Sequence, residues 1–234
     1  MANFIDNAID YSRQMEMEGF RHDSLTSYDH VVIGCGGIGY WTAIFLAMMG
    51  AKSITLIDGD NIESSNVPRL PVGVRHIGQM KVRVLKATLR LLRPMVRVAV
   101  IPTHLHHNSV DAVLLHCNVN RMARRIIFIW DCTDDARIQK DIALWADISG
   151  APYRKLGYDG WRIGSYGKGL ITSMWISDDT YRPGYTTNSS NVLSSVVCAA
   201  LGILREFVAP CDDNETLNDN LEINLREAVW TQET

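Results

Sequence analysis

Residues 31–39, VVIGCGGIG, set a buried apolar run directly against four glycines in six positions, and this junction constrains the chain more than any other stretch. A β-branched run reads as a strand. The Gly34-Cys35-Gly36-Gly37-Ile38-Gly39 turn matches the dinucleotide fingerprint, in which glycines permit a tight turn and let backbone N–H groups approach phosphate. A helix starting there presents its positive end to that anion. A second apolar run ends in Asp58, near the spacing of the acid that binds a ribose hydroxyl.

The residues after Asp58 are more specific than the turn itself. Asp60, Ser65, Asn66 and Arg69 come next, and Lys81 after Gly78-Gln79, so two cations and an amide lie just past a phosphate cradle. Charge that builds on phosphates during transfer is stabilised by such groups, whereas a nicotinamide site wants a flat apolar slot. Lys81 also stands near a helix start, where the helix dipole disfavours a cation, which hints at an external anion.

The rest of the chain alternates. Strands are expected at 29–34, 53–58, 96–101, 126–131, 152–157 and 169–176, and helices at 3–19, 37–49, 79–92, 136–148 and 191–208. This pattern predicts an α/β, Rossmann-like fold: a mostly parallel sheet with helices on both faces and a mixed C-terminal extension, the ligand lying at the carboxyl ends of the strands. LEINLREAVW, at 221–230, alternates like an edge strand. Trp130, Trp145, Trp161 and Trp175 are expected as core or interface anchors.

Composition is that of a globular domain, with 47% hydrophobic and 21% charged residues. The net charge of −3 argues against a general nucleic-acid binder. Seven acids against one base in 212–234 mark an acidic tail beyond a domain spanning 1–211, whose segment 1–28 is read as helical and able to dock on a partner subunit as easily as on its own domain. No apolar run is long enough to cross a bilayer, and the N-terminus lacks the plan of a secretory signal. Five scattered cysteines read as reduced thiols, and the chain as cytoplasmic.

Asp131-Cys132-Thr133-Asp134 closes the fourth strand. Either Asp134 or Asp135 caps the following helix, or a carboxylate there faces phosphates and holds magnesium. His104, His106 and His107 lack partners at zinc spacing and read as loop residues. Cys198 reads as core, and Cys35, inside the turn, as a poor thiolate.

With those residues in hand, the chain resembles the ThiF/MoeB-like adenylyltransferases of the ubiquitin-activating superfamily. GCGGIG, DGDNIESSNVPR, GQMK and DCTD occur in family order, and Tyr11-Ser12-Arg13-Gln14 looks like the family's N-terminal Y-x-R-Q. The resemblance implies ATP-dependent adenylation of a carboxylate, with the C-terminal glycine of a ubiquitin-like or sulfur-carrier protein as the leading acceptor. A small-molecule, peptide or tRNA-borne carboxylate is the alternative, and an NAD-dependent oxidoreductase or a nucleotide-binding scaffold the competing class. It further implies that Gly34, Gly36, Gly37 and Gly39 cradle phosphate and that Asp58, with Asp60 beside it, serves the nucleotide. Asn66, Arg69 and Lys81 would hold the phosphates, and Asp134 the magnesium. Arg13 would arrive from the other subunit of a homodimer.

Departures from the family are local. The two C-x-x-C pairs that hold zinc in many members are absent, so no zinc is expected. Residues 178–190 carry no cysteine, so the reaction is expected to stop at the acyl-adenylate or pass to a separate thiol protein. Pro68 and Leu70 flank the motif's arginine, and YRKLGYDGWRIGSYGK at 153–168 is richer in aromatic and charged residues than the small-residue pattern common there.

Overall fold

The computed structural model describes residues 9–120, 125–168, 191–208 and 220–230. Seven strands form one sheet: β1 (Tyr28–Ile33), β2 (Ser53–Ile57), β3 (Arg97–Ile101), β4 (Ile126–Asp131), β5 (Tyr153–Asp159), β6 (Arg162–Tyr166) and β7 (Leu221–Asn224). Their order is β3-β2-β1-β4-β5-β6-β7. The first five are parallel and the last two antiparallel, which is the mixed extension expected of the C-terminal part.

Side-chain alternation splits the core into two layers. Val32, Phe128, Trp130 and Leu156 point to one face, where α3 (Gly37–Met48), α4 (Lys81–Leu92) and α7 (Val192–Phe207) cover them. Val31, Ile33, Ile127 and Ile129 point to the other, under α5 (Val110–Val119) and α6 (Ala136–Ser149). Strands covered on both sides are apolar on both faces, so residues 31–33 of β1 and 126–130 of β4 read as continuous runs rather than alternating ones. No helix among the described residues is long and apolar enough to cross a membrane.

Most elements match the sequence expectation to within two residues. The exceptions have physical causes. The helix expected at 3–19 is, in its described part, only the single turn α1 (Ser12–Met15), succeeded by α2 (His22–Ser27). Gly19, at φ +75°, breaks the path between them, and Phe20 pairs with Val208 in an isolated bridge. α5 is an addition to the expected helices, because VDAVLLHCNV carries apolar residues on all sides and shows no helical period. β6 is hidden in an aromatic, charged stretch and is held by antiparallel pairing to β5. LEINLREAVW is half strand, as β7, and half helix, as α8 (Leu225–Trp230). Trp161 is not part of the core, being 48% exposed in the β5–β6 turn. The strand expected at 169–176, with Trp175, lies outside the described residues.

One buried polar group keys the core. His30 is fully buried, accepts at Nδ1 from the Trp130 indole N–H at 3.1 Å, and meets the Leu25 carbonyl from Nε2 at 2.9 Å. Only the neutral ring with its proton on Nε2 satisfies both partners. Burial, assisted by the Arg125 charge, holds this imidazole down to about 4, against an opposing pull from the Leu25 carbonyl. A folded value below the unfolded one gives stability that is present above about 6.5 and lost as pH falls through about 4. Urea unfolding should therefore lose up to about 3 kcal/mol from this group between neutral pH and pH 4. His30→Gln should remove that part of the slope; an unchanged acid limb would refute the assignment.

Candidate active site

The glycine turn sits where the strand order reverses, between β1 and β4. Gly34 has φ +83°, and a side chain there would come within 2.8 Å of the Cys132 carbonyl oxygen. Both facts require glycine. A side chain on Gly39 would run into the Gly34 carbonyl, so α3 packs against the turn only with glycine there too. Gly36 is the N-cap of α3, bears no side-chain cap, and has open space where a Cβ would point. The first N–H groups of a 12-residue helix thus have no side-chain cap, which leaves them able to receive an anion.

Asp58 ties this turn to the next loop. Its Oδ2 accepts from the Cys35 N–H and its Oδ1 from the Asp60 N–H, both at 2.7 Å. Each oxygen retains a lone pair for a ribose hydroxyl, so the expected role survives alongside a structural one. Asp60 then bonds the Lys81 ammonium at 2.7 Å and accepts the Lys81 N–H on its carbonyl at 2.9 Å. This corrects the inference of an external anion from the helix dipole: Lys81, 9% exposed at the first position of α4, has its own carboxylate beside it. The pair holds the ammonium in place rather than leaving it free.

Arg69 lies over the helix start, its Cδ 3.5 Å from where a Gly37 side chain would be, and its guanidinium donates to the Ser65 carbonyl at 2.8 Å. Its own carbonyl accepts from the Trp41 indole. The Tyr158 hydroxyl and Ser195 Oγ stand at 3.2 and 2.7 Å from the same Gly37 position, so they close that side of the cradle. Asn66 is buried, with Oδ1 accepting the Glu63 N–H at 3.0 Å; it braces the short 3₁₀ turn Ser64–Asn66.

At the end of β4 the capping residue is Asp135, which accepts from the Arg137 and Ile138 N–H groups. Asp134 is exposed and makes no hydrogen bond or ion pair among the described residues. Beneath it lies a network that no sequence pattern announces. Asp131, fully buried, accepts from the Tyr153 hydroxyl at 2.8 Å and from the Thr133 N–H and hydroxyl at 3.0 and 2.7 Å. The Thr133 carbonyl accepts from Gln139 at 2.8 Å and from the buried Lys155 ammonium, which lies 3.9 Å from Asp131. Every polar group of Thr133 is therefore fixed, and Asp134 is carried on a rigid support. The sequence signal is a pair of cations, Arg154 and Lys155, within a strand that is buried at both positions.

Arg13 is not at this site in its own chain. Gln14 beside it donates to the Met49 carbonyl at 2.8 Å, which fixes α1 at the far end of α3, about 18 Å from the glycine turn at 1.5 Å per residue. Arg13 itself is exposed and unpaired among the described residues. His107 pairs with Asp141 at 2.5 Å and His104 lies 3.7 Å from Asp60; no group of three metal-ligand side chains occurs among the described residues. One carboxylate suffices for magnesium, which keeps most of its shell as water and substrate phosphate. Asp134 suits that demand.

A family model described as the ThiF family matches residues 11–172. Among curated relatives, the molybdopterin-synthase adenylyltransferase of Haemophilus influenzae is 23% identical over 202 residues, 85% of this chain and 76% of that protein. The adenylyltransferase and sulfurtransferase uba4 of Emericella nidulans is 31% identical over 146 residues, 61% of this chain and 28% of that protein. The chain spans about a quarter of the length of the relatives of that larger kind. Escherichia coli MccB, solved with MccA, superposes with a TM-score of 0.64 at 20% identity, covering 88% of this chain and 63% of that one. The tRNA N6-threonylcarbamoyladenosine dehydratase TcdA of E. coli gives 0.63 at 15%, covering 80% and 87%. At these identities the structural matches speak to fold.

The geometry makes two outcomes measurable. Asp131→Asn should cost about 3 kcal/mol in urea unfolding, because it strips the charge that faces a buried ammonium; a loss below the error of the measurement would mean the network carries nothing. The thiols form the second test. Burial and then the Asp58 charge push Cys35 well up, and burial pushes Cys198 to about 11 and Cys117 to about 12. These raised values give stability that is whole below about 9 and lost as pH rises through 11 to 12. At pH 8 iodoacetamide should label none of the three until denaturant is added.

Proposed function

Because the chain belongs to the ThiF family, we propose that it is an ATP-dependent adenylyltransferase that activates a carboxylate as its acyl-adenylate. The observation that carries this reading is convergence. Arg69 lies beside the open N-terminus of α3, Asp58 links the glycine turn to the Lys81–Asp60 pair, and Asp134 follows Thr133, whose N–H lies beside Gly34 at the β1–β4 reversal.

In the reaction, a carboxylate oxygen attacks the α-phosphorus of ATP while the bond to pyrophosphate breaks. Two anions must meet, so the chain's task is charge stabilisation and alignment. The helix N–H groups, Arg69 and Lys81 offset charge on the phosphates and on the departing pyrophosphate. Asp58 orients the ribose while holding the turn closed. Asn66 keeps the Arg69 loop in register. No general base is required, since a carboxylate is already ionised at neutral pH. Magnesium, held by Asp134, would supply further neutralisation of the phosphates when bound.

The protein acts as a homodimer in this reading. Arg13 stands a helix length from its own glycine turn, so an Arg13 that contributes to charge stabilisation does so at the neighbour's site. The acceptor is the C-terminal glycine of a ubiquitin-like or sulfur-carrier protein, in keeping with the molybdopterin-synthase adenylyltransferase among the relatives. The adenylation domain extends over 1–211 with an acidic tail at 212–234, and the setting is cytoplasmic, where ATP and reduced thiols coexist.

Calorimetry should find saturable, magnesium-dependent ATP binding that Lys81→Ala and Asp134→Ala abolish, and no NAD binding. NAD binding without a response to ATP would overturn the reading. Arg13→Ala should keep ATP affinity but lower turnover on the order of 10²-fold. Mixing it with Asp134→Ala subunits should restore about a quarter of the activity if copies exchange at random. Supplying carrier proteins, peptides and tRNA one at a time, with AMP release measured, identifies the acceptor.

A further inference from the structure

Between Glu63 and Asp111 the chain holds eight Lys and Arg and no Asp or Glu, while the remainder holds 15 Lys and Arg against all 26 acids. A net charge of −3 conceals this segregation. Arg69 and Lys81 are accounted for by the site. Three of the others, Arg83, Lys86 and Arg90, recur at three- and four-residue spacing on α4 and so share one face of the helix. The opposite face, with Val82, Leu85 and Leu89, is fully buried in the core. Arg83 and Arg90 are exposed and Lys86 is half-buried; none of the three has an ion pair or side-chain hydrogen bond among the described residues.

This arrangement works against the helix that bears it. Like charges three and four residues apart repel, and Arg83 lies in the first turn, where the dipole disfavours a cation. α4 contains no acid to offset either effect. An anion from outside does offset them, and its class can be argued. A lipid surface is a poor match, since α4 has its apolar face committed to the core and nothing to insert. Nucleic acid is a poor match too: residues 64–110 contain no Phe, Trp or Tyr on which a base could stack. Beside the cations, Leu91 is 83% exposed and Met95 38% exposed. A phosphate backbone has no use for such groups. An acidic protein face has use for both, since interfaces combine an apolar centre with a complementary charged rim.

We propose that the outward face of α4, formed by Arg83, Lys86 and Arg90 with Leu91, is a docking surface for an acidic protein partner. The proposal does not depend on the adenylation reading, because none of these four side chains takes part in it.

The test uses fluorescence anisotropy at low salt with the full chain. The probes are a labelled peptide of Glu-Glu-Leu repeats and a poly-uridylate of equal charge. The wild-type protein should bind the peptide at least ~10-fold more tightly than the RNA. Reversing the stripe with Arg83→Glu, Lys86→Glu and Arg90→Glu together should abolish peptide binding, and Leu91→Ser should weaken it several-fold, with unfolding midpoints unchanged. Mg·ATP binding by the same variants reports separately on the nucleotide site. Peptide binding that survives charge reversal means a solvated face and ends the proposal. So does RNA binding as tight as the peptide and indifferent to Leu91→Ser, which would mark a phosphate-tracking surface. A gain of at least ~10-fold in peptide affinity on neutralising Asp212, Asp213, Glu215 and Asp219 would make the chain's own tail the occupant and overturn it equally.

Discussion

The Cys132 carbonyl oxygen occupies the space that a side chain at position 34 would need, and much of the site depends on that one contact. It brings the turn after β1 against the loop after β4, at the reversal of strand order where parallel sheets leave a crevice. With the backbone that close, the start of α3 and the Thr133–Asp134 segment become neighbours though almost a hundred residues separate them in sequence. Asp58 then accepts an N–H from the turn and another from the loop beyond β2, so the glycine turn, β2 and the Asp60–Lys81 pair move as one body.

Charge in this protein is held in place by charge. Lys81 has Asp60, Lys155 has Asp131 and two carbonyls, and Arg154 has Glu206 across the packing of α7 on β5. Such pairs are weak contributors to stability, because desolvation offsets much of the attraction. Their use here is positional. An ammonium already aligned by a carboxylate needs little reorganisation when a phosphate arrives, which is what electrostatic stabilisation of a transferring group demands. Asp134 and the Arg83, Lys86 and Arg90 side chains of α4 differ, having no such partners among the described residues.

The buried thiols fit the same pattern. Cys35 lies within the phosphate cradle, Cys132 at the end of β4 and Cys198 under β5, and all are held neutral by desolvation. A thiolate at any of them would add negative charge beneath a site built to receive anions. None of these three is ionised enough at neutral pH to act as a nucleophile.

The sequence by itself determined the parallel sheet, the glycine turn and the carboxylate that closes β2, because each rests on local chemistry: β-branched runs, glycines where a Cβ cannot fit, a carboxylate at a strand end. It also carried the charge segregation of α4, which is visible only when counted by segment. Tertiary structure alone decided the rest. That Lys81 is paired with Asp60, that Asp135 and not Asp134 caps α6, and that Asp131, Tyr153 and Lys155 brace Thr133 all depend on which strands lie side by side. α5 is illegible in the sequence because its apolar residues face all ways, and β6 because antiparallel pairing rather than its own pattern makes it a strand. Arg13 is the sharpest case: its motif is legible in the sequence, and only the fold shows that it stands a helix length from the glycine turn of its own chain.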